Sequence, residues 1–272
     1  MRLNGTVGII TGSSRGIGVY LAEALARKGV RLALAARSKD ELNKVAERLH
    51  SLGADAIAIP TDVARREDLE DLVERTTAEL GPPDVLVNNA GIERYADFHT
   101  YELDTIEKII RVNLVAAEVL TRLVVPGMID RGRGHIVNIS SVAGKSAVPY
   151  NAVYSSSKHA LVGFSWSLRE ELKPYGVGVS VVCPGFVRAG MFADWSGGTE
   201  PPGLTRSVSP ERVAHATVEA IERDKADVVV GSAFLRFSDV VHAVSPNLAG
   251  WIGRKSGAYR FLRSATDKTF RD

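Results

Sequence analysis

Short aliphatic runs alternate with longer amphipathic stretches along most of this chain. Thr6 to Ile10, Val30 to Ala36, Asp55 to Pro60, Asp84 to Asn88, His135 to Ser140, Val177 to Val182 and Asp227 to Val230 are dense in Val, Ile, Leu and Ala, and each reads as a buried strand. Val19 to Lys28, Lys39 to Leu52, Arg65 to Leu80, Tyr101 to Asp130, Tyr150 to Lys173 and Pro210 to Arg223 carry helical periodicity. Gly53 stops the second of these, and Ser209 with Pro210 starts the last. Regular strand–helix alternation predicts an α/β fold: a Rossmann-like, doubly wound parallel sheet of about seven strands with helices on both faces. Beyond Gly231, Phe234, Phe237, Val241, Val244, Leu248 and Trp251 fall at helical spacing, and Ser245-Pro246 predicts a break between two helices. The expected organisation is a cofactor-binding catalytic domain over residues 1–231 and an amphipathic helical extension over 232–272.

Composition narrows the class. Of 272 residues 45% are hydrophobic and 24% charged, with a net charge of +2, which gives no reason to expect nucleic acid as a partner. A single cysteine, Cys183, excludes an intramolecular disulfide and reads as a small buried apolar residue. The first residues lead directly into a strand, no apolar run of membrane-spanning length is read, and a cytoplasmic location is the expectation. The tail holds Arg236, Arg254, Lys255, Arg260, Arg263, Lys268 and Arg271 against Asp239, Asp267 and Asp272. Its apolar face is expected first to pack on its own core or on a sister subunit of a homodimer or homotetramer, and second to meet an anionic membrane peripherally.

In open parallel sheets ligands bind at the carboxyl ends of the strands, near the point where the winding reverses. The unusual residues gather at those ends. After the first strand comes Thr11-Gly12-Ser13-Ser14-Arg15-Gly16-Ile17-Gly18, a glycine turn opening a helix, suited to a pyrophosphate. The second strand ends at Arg37, where an acidic residue would accept from a ribose hydroxyl. Arg37 and Arg15 instead suit a 2′-phosphate, so NADP(H) is favoured over NAD(H). Asp62, closing the third strand, either caps the next helix or reaches an adenine amino group. Asn88-Asn89-Ala90-Gly91 follows the fourth strand with small residues that let a flat cofactor lie close. Asn113 interrupts a helical stretch, as a local cap or bend or as a polar group serving a site.

Tyr154 and Lys158 are one helical turn apart and face the same way. A phenol near pKa 10 is a poor acid–base catalyst, and a neighbouring ammonium is expected to lower that value toward working pH. Ser141 lies upstream at a strand end, placed to hold a carbonyl or alkoxide oxygen. From Phe186 to Pro210 the chain reads as a mobile loop over the site; Phe186, Met191, Phe192 and Trp195, with Ile92, Tyr95, Val148 and Tyr150, predict a pocket for an apolar substrate.

Taken together these residues resemble the short-chain dehydrogenase/reductase family over roughly residues 4 to 231. The resemblance rests on Thr11-Gly12-x-x-x-Gly16-x-Gly18, Asn88-Asn89-Ala90-Gly91, Asn113, Ser141, Tyr154-x-x-x-Lys158 and Pro184-Gly185. It implies an NADP-dependent oxidoreductase acting on a carbonyl or secondary alcohol. Tyr154 would be the general acid or base, with Lys158 lowering its pKa and holding the nicotinamide ribose. Ser141 would orient the substrate oxygen, and Asn113 would hold a proton-relaying water. It further implies cofactor contacts from Gly12, Ser14, Arg15, Gly16, Ile17, Gly18, Arg37, Asp62, Val63, Asn89, Ala90, Gly91, Pro184, Gly185 and Val187, with no metal. Ala189 departs from the family pattern, which has threonine there. Two rivals are a cofactor-binding regulatory or scaffold protein without turnover, and an epimerase or dehydratase using NAD transiently.

Overall fold

The strands stay buried because each feeds both faces of one sheet. The computed structural model describes residues 1–203 and 205–266. Strands β1 Val7–Thr11, β2 Arg31–Ala36, β3 Ala56–Pro60, β4 Val85–Asn88, β5 Gly134–Ile139, β6 Val177–Pro184 and β7 Asp227–Val230 pair in parallel in the order β3-β2-β1-β4-β5-β6-β7. On β1, Ile10 joins one core layer and Ile9 the opposite one. The first layer is closed by α1 Ile17–Ala26, α2 Lys39–Ser51 and α8 Pro210–Glu222, through Leu21, Leu25, Leu42, Leu49, Val213 and Ile221. The second is closed by α3 Arg66–Glu79, α5 Ala116–Asp130 and α6 Ala152–Leu172, through Leu69, Leu72, Leu120, Val124, Met128 and Leu172. The winding runs outward from β1 to β3, then returns to place β4 beside β1, so the reversal lies between the glycine turn and Asn89.

The expected long helix from Tyr101 to Asp130 is one helical run with a defect. It comprises α4 Leu103–Ile110, a π-helical turn over Arg111–Val115, and α5. The widened turn carries Asn113 at its centre, where the amide finds partners outside the helix. Within the 28 helical residues 103–130 one 18-residue window has a mean hydropathy of 1.6, enough by length and composition to cross a membrane, a run that the expectation of no such stretch passed over. In this fold Leu120, Val124 and Met128 face the core, while Glu107, Arg111 and Arg122 are exposed.

The loop expected from Phe186 to Pro210 contains a short helix, α7 Met191–Ser196, and a parallel bridge between Val187 and Val208. After β7 come α9 Ala233–Val244, α10 Pro246–Lys255 and a third, unanticipated helix, α11 Ala258–Arg263. Ser245 breaks the first pair as expected, its hydroxyl capping Leu248 N–H with Pro246 at the first helical position. Leu262 and Ala265 are buried, whereas Phe237, Val240, Val244, Leu248 and Trp251 remain exposed. Asp267, Lys268, Arg271 and Asp272 lie outside the described residues.

Candidate active site

One cavity of about 780 Å³ runs along the carboxyl ends of the strands, from Arg37 and Asp62 past the glycine turn to Tyr154 and Trp195. Its floor is set by close backbone approach. Gly12 has φ +67°, and a Cβ there would stand 2.9 Å from Ala90 Cα. A Cβ on Gly18 would stand 2.1 Å from Gly12 O, so this glycine shapes the turn from beneath and does not line the cavity. The turn opens α1, whose first turn has no side-chain cap and no acidic residue, leaving its N–H groups to an anion.

The second half of the sheet is fastened to this turn by Asn89. Its Nδ2 donates to Thr11 O at 2.9 Å and Gly12 O at 3.0 Å, and Thr11 Oγ1 accepts from Asn89 and Ala90 N–H, both at 3.1 Å. The Asn89 amide is therefore spent on the protein, although the residue still borders the cavity. Ser14, Gly16, Ile17, Ala90, Gly91, Pro184, Gly185 and Val187 border it too. Arg37 is exposed at the end of β2 and forms no ion pair among the described residues. Arg15 is paired instead, Nη1 to Asp194 Oδ2 at 3.0 Å, which ties the glycine turn to α7. Asp62 accepts from Ala64 N–H at 3.0 Å and so shapes its own turn; the N-cap of α3 is Arg65, which makes no side-chain cap. Val63 lines the cavity beside it.

The chemistry-bearing groups converge at the other end. Tyr154 and Lys158 sit in the first turns of α6, both buried, with Lys158 Nζ 5.6 Å from the centre of the Tyr154 ring. Lys158 Nζ donates to Ile139 O at 2.9 Å. Ser141 follows β5; its Oγ accepts from Ala143 N–H at 3.1 Å and is hydrogen-bonded to the phenol. Burial pushes the Tyr154 phenol well above its ordinary value, Glu93 pushes it the same way, and only the Ser141 hydroxyl opposes them. This corrects the expectation of a phenol drawn toward neutrality by Lys158: within the protein alone, desolvation of the phenolate wins. Burial likewise lowers the Lys158 ammonium to about 8. At neutral pH the site holds a protonated phenol beside a cation.

Asn113 does not reach the cavity. Its Oδ1 accepts from Ile92 N–H at 2.8 Å, and its Nδ2 donates to Ile92 O at 2.9 Å and Ser157 Oγ at 3.1 Å. It fixes the loop after β4 against α6, just beneath Lys158. Among the substrate-pocket residues, Tyr95, Val148, Phe186, Met191, Phe192 and Trp195 line the cavity. Tyr150 does not. Its φ of 67° directs it elsewhere, and its ring lies under Arg263, 5.4 Å away. The lid side chains form an aromatic cluster in which Trp195 meets Tyr95 at 5.2 Å, Phe192 at 5.2 Å and Phe261 of α11 at 5.5 Å. Glu93, Asn151, Ser157, Asp194 and Phe261 were missed by the sequence reading.

Comparison with known proteins agrees with this geometry. A family profile described as short chain dehydrogenase matches residues 6–199, and the chain belongs to that family. It is 39% identical to the ketoacyl reductase HetN of Nostoc sp., over 99% of this chain and 96% of that protein. An actinorhodin polyketide ketoreductase variant solved with NADPH superposes with a TM-score of 0.77 and 31% identity, covering 83% of this chain and 95% of that one. A metagenomic short-chain oxidoreductase in complex with NADP gives 0.72 and 34%, covering 85% and 98%. The protein is thus an oxidoreductase of the short-chain dehydrogenase/reductase family, acting on carbonyl and hydroxyl carbons.

Proposed function

We propose that this protein is an NADPH-dependent reductase of a ketone or aldehyde with an apolar body. The observation that carries the reading is the placement of Tyr154, Ser141 and Lys158 at one end of a cavity whose other end is a cap-free helix start and Arg37, which has no ion pair among the described residues. The residues fit a dinucleotide. The glycine turn admits a pyrophosphate, Arg37 suits a 2′-phosphate, and Ala90, Gly91, Pro184, Gly185 and Val187 leave room for a flat ring. When bound, the nicotinamide supplies hydride to the carbonyl carbon.

The chain's own residues handle the oxygen. Ser141 and the Tyr154 hydroxyl hydrogen-bond the carbonyl oxygen, and the phenol, kept protonated by burial, donates its proton as negative charge develops there. Lys158 then stabilises the phenolate left behind. Asn113 holds the Ile92 peptide and, through Ser157, the adjacent turn of α6, so the acid and the cation keep their spacing. The aromatic lid excludes water from the reacting oxygen. The NADP-bound solved structures support the cofactor preference, and the ketoacyl reductase relative supports a ketone. A screen of NADPH oxidation across steroid, acyl, sugar and quinone carbonyls tests the reading.

A further inference from the structure

Glu93 lines the reaction cavity beside Tyr95, Tyr154 and Trp195, on the loop that leaves β4. Its Oε2 accepts from Asn151 Nδ2 at 3.1 Å, and the Trp195 side chain also hydrogen-bonds it. Both donors are neutral. Among the described residues no lysine, arginine or histidine forms an ion pair with Glu93, and Lys158 gives its hydrogen bond to Ile139 O. A glutamine could accept the same two hydrogen bonds, so only the charge distinguishes the residue present. A half-buried carboxylate without an ion pair is unfavourable, and desolvation raises this one to about 7 against the pull of Asn151, Trp195 and the Lys158 charge. A destabilised acid lining the same cavity as the reacting phenol marks a functional position.

On the reading of this site as a carbonyl-reducing centre, we propose that Glu93 is the anionic wall of a subsite for a positively charged nitrogen carried by the substrate. Tyr95 and Trp195, whose rings pack 5.2 Å apart, also line the cavity and bring to it aromatic surface of the kind that favours a cation. Glu93 lines the same cavity as Tyr154 and Lys158, so a substrate held there can present a carbonyl to the phenol and a cation to the carboxylate. The substrate class is an aminoketone or a ketone bearing a quaternary ammonium.

Two ketones of one shape test this: phenacyltrimethylammonium and its uncharged carbon isostere, neopentyl phenyl ketone. Calorimetric titration uses the enzyme with NADP⁺ bound, which reduces neither. The cation binds at least about ten-fold tighter to wild type. Glu93→Gln brings the ratio close to one, and Glu93→Asp, which keeps the charge, retains a cation preference. Equal affinities in wild type, or a preference that survives Glu93→Gln, overturns the subsite. NADPH oxidation separates this from the parent reading. Turnover of the neutral ketone without any cation preference removes the subsite and leaves the reductase standing. A Glu93-dependent preference with neither ketone reduced keeps the subsite and counts against the reductase.

Discussion

Asn113 clasps both polar groups of Ile92, accepting from its N–H at 2.8 Å and donating to its carbonyl at 2.9 Å. The bond from the same amide to Ser157 Oγ joins this clasp to α6 one residue before Lys158. A residue buried to 1% exposure thus makes three hydrogen bonds that a hydrophobic replacement cannot. Asn113→Ala is expected to cost about 2–4 kcal/mol, because it leaves the half-buried Ile92 peptide groups and the buried Ser157 hydroxyl without this partner. Denaturant midpoints measure the loss. A shift below about 0.5 kcal/mol contradicts the assigned role.

Arg37 and Arg15 flank the same groove, but Arg15 is already paired with Asp194. Arg37→Ala is therefore expected to weaken NADPH roughly 10- to 100-fold while barely changing NADH, the loss of a charge-assisted contact to one phosphate. Parallel fluorescence titrations decide it. Equal losses for both cofactors would remove Arg37 from the 2′-phosphate site.

The half-buried Glu93 and the buried His135 oppose each other in the pH dependence of stability. Glu93 has a folded value of about 7 against an ordinary 4.5, so the folded protein keeps a proton that the unfolded chain releases. Its contribution falls as pH rises from about 4.5 to 7. The cause is burial, opposed by Asn151, Trp195 and Lys158 and reinforced by Asp194. His135, buried beside Ser180, is lowered by burial to about 4 from 6.5, so its contribution is lost as pH falls through that window. Glu93→Gln is expected to exceed wild type in stability above pH 7 by roughly 1–3 kcal/mol, after allowing for screening. His135→Gln flattens the acid limb. Melting temperatures across the range test both, and unchanged slopes would contradict the assignments.

Much of the fold was legible because parallel strands buried on both faces read as unbroken apolar runs, as β1 and β6 do. The reactive pair was legible because Tyr154 and Lys158 report their shared helix face through spacing alone. Other features depend on tertiary placement. Glu93 sits on a loop without periodicity, and nothing local says that Asn151 and Trp195 enclose it. Phe261 reaches the lid from a helix far along the chain. Tyr150 was assigned to the pocket from its neighbours in sequence, but a positive φ turns it toward Arg263. The direction of the Tyr154 shift was misjudged for the same reason. Pairing with Lys158 is a local feature, while desolvation is a property of the whole site.

The central claim is that the Tyr154 phenol delivers the proton to the substrate oxygen. The direct test is Tyr154→Phe, assayed for NADPH oxidation with the best carbonyl from the screen and for cofactor binding by fluorescence. The account predicts a fall in kcat of about 10²- to 10⁴-fold with NADPH affinity retained. A variant that binds the cofactor normally and keeps most of its turnover would contradict it.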